Sequence, residues 1–146
     1  MSEKVVRIYR GVVLIAEDDY TLRKILEEFL VQAFKGISVV HAENGVEALQ
    51  FIHRKPSSLL ILNMMMPRMG GAEVLHELSK GGMRIPKLVM SGYYKTKEQV
   101  AADARVPEEF FEFMNKPFPM GDFLGKVEVL LSSRFGGKPI NGEQNS

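Results

Sequence analysis

The sequence predicts an α/β fold, a doubly wound parallel sheet in three layers, and three observations carry that prediction. Five short apolar runs begin near Val12, Ile37, Leu59, Lys87 and Phe111, at spacings of 25, 22, 28 and 24 residues, the cadence of successive strand–helix units. The stretches between them carry apolar residues at helical intervals. Four of the runs also end on reactive polar residues: on Glu17-Asp18-Asp19, on Asn63, on Ser91 and on Lys116-Pro117. In an open α/β sheet the carboxyl ends of parallel strands border the crevice where ligands bind.

The basic, charge-broken stretch ahead of the first strand reads as an N-terminal extension over 1–10, leaving a domain over 11–133 and a flexible, glycine-rich tail over 134–146. Behind the first strand, residues 20–34 place Leu22, Ile25, Leu26, Phe29, Leu30 and Ala33 at helical intervals, which predicts an amphipathic helix with that stripe facing a core. Asn44 is a suitable N-cap for a second helix over 45–53, with Val46, Leu49 and Ile52 inward. A third helix over 71–79 uses Ala72, Val74, Leu75 and Leu78, and stops at Gly81-Gly82. The fourth, over 96–105, has only Val100, Ala101 and Ala104 to bury and is expected to be mobile. The last, over 120–132, buries Phe123, Leu124, Val127, Leu130 and Leu131, with Gly125 costing about 1 kcal/mol relative to Ala. Right-handed crossovers put helices on both faces of the sheet, while periodicity leaves strand order and the number of helices per face open.

At 146 residues the chain suits one domain with a core that needs no covalent staples. The absence of Cys excludes a disulfide framework, a thiolate zinc site and a cysteine nucleophile, and agrees with a reducing cytoplasm. Nineteen basic against eighteen acidic residues leave a net charge of +1, so no global field argues for nucleic acid or an anionic membrane. No apolar run approaches the roughly 20 residues of a membrane span, and charge breaks up the N-terminal apolar positions that a signal peptide would need. A cytoplasmic protein is expected. His41, His53 and His76 show no ligand spacing, and the nine Met residues read as adaptable packing and not as a soft-metal site.

The stretches VLIAEDDYTLRKIL, LLILNMMMPRMGG, LVMSGY and NKPF, taken in that order, closely resemble the receiver domain of two-component response regulators. The resemblance spans about Val12 to Leu131 and implies a flavodoxin-like (βα)5 fold with strand order 2-1-3-4-5. It also implies an acidic pair after the first strand, a phospho-accepting Asp after the third, Ser or Thr after the fourth, and Lys-Pro after the fifth. This chain departs at one position. Where the acceptor Asp is implied, it has Asn63.

Several of these residues have plain structural uses besides. Acids ahead of a helix suit its N-terminal dipole and cap it, while the resemblance assigns Glu17 and Asp18 to Mg2+, together with Asn63 and the backbone carbonyl of Met65. Mg2+ favours oxygen ligands and keeps several waters, and a neutral amide in place of a carboxylate makes its binding here weak. Ser91 suits a turn, while the resemblance makes it, with Lys116, a phosphoryl contact. Lys-Pro favours an extended preceding residue, and the resemblance implies a cis bond that aims the ammonium of Lys116 at the pocket. Phe113 suits strand packing, while the resemblance makes it the switch aromatic; lacking a hydroxyl, it is expected to favour a buried position. VPEEFFEF with Tyr93 and Tyr94 makes the surface around the fourth helix and fifth strand aromatic, a candidate docking face.

A carboxylate can attack phosphorus, but a carboxamide oxygen is a far poorer nucleophile. The expected function is therefore a receiver-like module of a two-component phosphorelay, not an enzyme and not phosphorylated at Asn63. It would act by contact with a histidine kinase, a phosphotransfer protein or another receiver, as a monomer or weak dimer, binding neither nucleic acid nor membrane directly. The alternative is an ordinary phospho-accepting receiver whose acceptor Asp has been replaced by Asn63. An unrelated enzyme on the same fold has no dinucleotide fingerprint, phosphate loop or nucleophile elbow to support it.

Overall fold

The computed structural model describes residues 7–133 and 140–141. Its elements run β1 (Arg7–Ala16), α1 (Tyr20–Ala33), β2 (Lys35–Ala42), α2 (Gly45–Arg54), β3 (Leu59–Asn63), α3 (Gly71–Lys80), β4 (Lys87–Ser91), α4 (Lys97–Ala104), a 3-10 turn (Glu108–Phe110), β5 (Glu112–Asn115), α5 (Met120–Ser133) and β6 (Ile140–Asn141). The first five strands pair in parallel in the order β2-β1-β3-β4-β5. That is the order the resemblance implied.

All residues of β3 and β4 are buried, as expected of parallel strands covered on both faces. Side chains alternate between the two faces, which divides the core in two. Val13, Ile15, Leu59, Ile61, Leu88 and Met90 pack with Leu26 and Leu30 of α1 and with Phe123, Val127 and Leu131 of α5. Leu14, Leu60, Leu62 and Val89 pack with Ala48 and Ile52 of α2, Val74, Leu75 and Leu78 of α3, and Val100 and Ala104 of α4. Each fully buried Leu, Ile or Val contributes about 1.5–3 kcal/mol of transfer free energy. Two helices thus cover one face and three the other.

The structure moves three boundaries and faces. β1 begins at Arg7 and not near Val12, so Arg7 to Arg10, read as extension, belong to the sheet. Charged Arg7 and Arg10 hid a strand whose inward residue, Tyr9, is buried and meets Phe34 edge to face at 5.4 Å. The register shifts between Ile8 and Gly11, and opposite this bulge Gly36 has φ 94° with room for no Cβ, since one would lie 2.0 Å from the Tyr9 carbonyl oxygen. Within the stretch read as tail, Ile140–Asn141 pair antiparallel with β1; the rest of 134–146 lies outside the described residues. On α1 the predicted stripe is only half right. Leu26 and Leu30 are buried, but Ile25 and Phe29 are exposed, and Arg23 goes inward.

Helix α4 is better anchored than its thin apolar face suggests. Thr96 and Gln99 form a capping box, and Val100, Ala101 and Ala104 are buried. Asn44 caps α2 as expected, accepting from the Glu47 N–H at 2.9 Å.

Candidate functional site

The carboxyl ends of β1, β3, β4 and β5 meet at a pocket centred on Glu17. Its backbone N–H continues the sheet by donating to the Ala42 carbonyl at 3.0 Å, and only 1% of the residue is exposed. Oε1 receives the Lys116 ammonium at 2.8 Å. Oε2 accepts the Asp19 N–H at 3.1 Å and the Asn63 amide at 3.2 Å. Burial pushes the Glu17 carboxyl above its ordinary pKa, the bonds from Lys116 and Asp19 pull it back, and the neighbouring Asp18 carboxyl raises it again.

Asn63, the buried last residue of β3, reaches this carboxylate through its nitrogen. Nδ2 donates both to Glu17 and to the Met65 carbonyl, the latter at 2.8 Å. Turning the amide over would set Oδ1 against two acceptors, so the pair of partners dictates the orientation. Beneath it the start of α3 packs without a spare methyl's room: a Cβ on Gly71 would lie 2.8 Å from the Asn63 carbonyl oxygen. Lys116 is brought in by β5, its backbone N–H donating to the Ser91 carbonyl at 2.8 Å, and the Lys116-Pro117 peptide is cis. Ser91, fully buried, accepts the N–H groups of Tyr93 and Tyr94 at 3.0 and 2.8 Å, which leaves its hydroxyl proton available to a further acceptor.

The three acids divide their labour. Glu17 fills the pocket, Asp18 is exposed beside it, and Asp19 caps α1 by accepting from the Leu22 N–H at 3.1 Å. Sequence reasoning missed Arg23. Its buried guanidinium donates to the Glu17 carbonyl at 2.6 Å and, through Nε, to His41 Nδ1 at 3.0 Å. Because arginine only donates, His41 Nδ1 must accept, and its proton lies on Nε2, 2.8 Å from Glu27. A lone charged residue one step from an apolar stripe carries no signal for such a role; its partner His41 stands on β2, and Glu27, which meets His41, lies on α1 itself.

The model for the response regulator receiver domain matches residues 13–128. This chain belongs to the response regulator receiver family. It is 35% identical over 120 residues to response regulator MprA of Mycobacterium leprae, and 34% identical to that of Mycobacterium sp. (strain KMS), in each case covering 82% of this chain and 50% of the relative. The receiver therefore spans about half the length of the curated relatives it matches. Among solved structures it resembles a Francisella response regulator receiver domain, with TM-score 0.71 and 24% identity over 83% of this chain and 96% of that one. A two-component response regulator from Clostridium difficile shares the fold at TM-score 0.72 and 20% identity, covering 86% of this chain and 99% of that one.

Receiver domains generally bind Mg2+ at the acceptor position. Of the four groups expected to serve it, Glu17, Asn63 and the Met65 carbonyl do converge, with Asp18 at the exposed margin. The expectation that Asn63 offers its oxygen is corrected: it offers nitrogen, and both Glu17 oxygens and the Met65 carbonyl already hold protein donors. Among the described residues no cluster of three His, Asp or Glu side chains could hold a metal ion. The groups present do not fit the cation.

The aromatic face is smaller than expected. Phe111 is buried, and Phe110 is half-buried with the Lys87 ammonium 3.8 Å above its ring. Phe113 is half-buried against the core beside α4 and does not reach full burial. Tyr93 remains, 68% exposed, edge to face with half-buried Tyr94 at 5.2 Å. The Tyr94 hydroxyl donates to Asp103, which with burial pushes its pKa up to about 12.

Proposed function

We propose that this receiver is a pseudo-receiver, a module of two-component signalling that is not phosphorylated at Asn63 and transmits by contact. What supports the reading is the identity and setting of Asn63: a carboxamide, without nucleophilic character, ends β3 and donates to the Glu17 carboxylate that Lys116 also holds, at the place where the sequence resemblance implies an acceptor Asp. The partner is a protein such as a histidine kinase, a phosphotransfer protein or another receiver, met in the cytoplasm by a monomer or weak dimer. Tyr93, exposed beside α4, is the aromatic anchor this docking would use. The module has no catalytic activity of its own and binds neither nucleic acid nor membrane directly; among the described residues no helix is long and apolar enough to cross a membrane.

The test is exposure to acetyl phosphate or beryllofluoride with Mg2+, read by intact mass and peptide mapping. Unchanged mass is expected, and a stable adduct on Asn63 or a neighbouring residue overturns the reading.

The second reading is an ordinary receiver whose acceptor Asp has been replaced by Asn63. It is favoured by the Lys116–Glu17 ion pair at 2.8 Å and the buried Ser91 hydroxyl, both of which phosphoryl chemistry would use for positioning and charge stabilisation. The Asn63→Asp variant would then take up phosphate in the presence of Mg2+. Failure to label would argue that the rest of the pocket has diverged with the acceptor.

A further inference from the structure

We infer that the Asn63 amide nitrogen is a built-in replacement for the divalent cation, so that this receiver holds its acidic pocket closed with protein donors and needs no Mg2+. The inference deepens the pseudo-receiver reading and rests on its placement of Asn63 at the acceptor position.

The geometry is that of a bridge. One nitrogen spans the Glu17 carboxylate at 3.2 Å and the Met65 carbonyl at 2.8 Å, two oxygen groups that follow the ends of different strands. A hard cation would join such oxygens by charge; an NH2 group joins them with its two protons, one to each. The remaining Glu17 oxygen is neutralised by Lys116 at 2.8 Å, and Asp19 adds a backbone donor at 3.1 Å. The buried carboxylate, which burial alone would make costly, is thereby both paired and hydrogen-bonded. Mg2+ entering this set would have to displace one of the two donors that fill Glu17 Oε2, and would meet the amide protons of Asn63 turned toward it.

The substitution has a structural consequence. The Met65 carbonyl is tied to β3 through Asn63, and the N–H of Gly71, at the start of α3, donates to the Met64 carbonyl at 2.9 Å. The β3–α3 loop is therefore fastened at both ends by the chain itself, with the Met65 side chain displayed 56% exposed.

The experiment uses the full chain, 15N-labelled, titrated with Mn2+ as a paramagnetic stand-in for Mg2+, beside the Asn63→Asp variant. The amide resonances of Glu17, Asp18 and Met65 are expected to persist in the parent at Mn2+ concentrations that broaden them away in the variant. Equal broadening in both overturns the inference, because the cation then enters despite the amide. Persistence in both also overturns it, because something other than Asn63 excludes the metal. Thermal unfolding gives a second measure: the parent Tm is expected to ignore Mg2+, whereas Asn63→Ala, which removes the amide donor from both the Glu17 carboxylate and the Met65 carbonyl, starts lower and rises with Mg2+. A parent Tm that rises with Mg2+ as steeply as the Ala variant's counts against the bridge. Phosphate uptake followed by mass fails or succeeds separately, so the function reading and the metal reading can fall independently.

Discussion

Lys116 and Glu17 form an ion pair at the pocket, and its two halves are unequally placed: the Glu17 side chain is 2% exposed and that of Lys116 26%. Removing the lysine leaves a buried carboxylate without its counter-charge, a change that costs more than the pair itself contributes. Lys116→Met is therefore expected to destabilise the fold by about 2 kcal/mol, the buried-pair figure discounted for the exposed ammonium. Urea unfolding at neutral pH measures it, and an unchanged midpoint would mean that the Asn63 and Asp19 donors suffice alone. The same residues show what could be read in advance. Glu17, Asn63, Ser91 and Lys116 were legible because each ends an apolar run, and a strand's end has only one place to point in this architecture. The direction of the Asn63 amide was not legible, since its two ends are alike in sequence and only the acceptors around them tell nitrogen from oxygen.

Arg23, His41 and Glu27 tie α1 to β2 and to the backbone beneath Glu17. The bond from His41 is the largest influence on Glu27 and, with Lys24, holds its carboxyl below the usual 4.5 despite partial burial. A carboxyl with a depressed folded pKa binds protons more readily when unfolded, so its stabilisation is present above pH 4.5 and is lost as pH falls through the folded value. Glu27→Gln should accordingly flatten the acid limb of stability. Urea midpoints followed downward from pH 5 are expected to fall more steeply in the parent than in the variant, and parallel curves would remove this pair from the acid response. Helix α1 also shows how a 3.6-residue pattern misleads. Ile25 and Phe29 satisfy the apolar interval yet face solvent, because the helix is rotated to bring Arg23 under the pocket. In α4 the sequence reading erred the other way, since the Thr96–Gln99 capping box, which it passed over, compensates for few apolar residues.

The sheet as a whole extends further than its apolar runs. Tyr9, ahead of the first run, is 4% exposed and seated on Phe34, so Tyr9→Ala is expected to cost about 3 kcal/mol through the cavity it leaves. Thermal unfolding that loses only a few tenths would place residues 7–10 outside the cooperative fold. The division of helices between faces was likewise invisible to periodicity, which shows that a helix has an inner side but not which surface that side meets. Reading residues one after another was enough for the number of strand–helix units and the polar residues closing the strands, because these depend on local pattern and chain order. Tertiary structure alone decided the inward turn of Arg23, the burial of Tyr9 and Phe111, and the nitrogen bridge from Glu17 to Met65. Each of these is an energy between groups distant along the chain, and such energies exist only once the sheet has brought the groups within reach of one another.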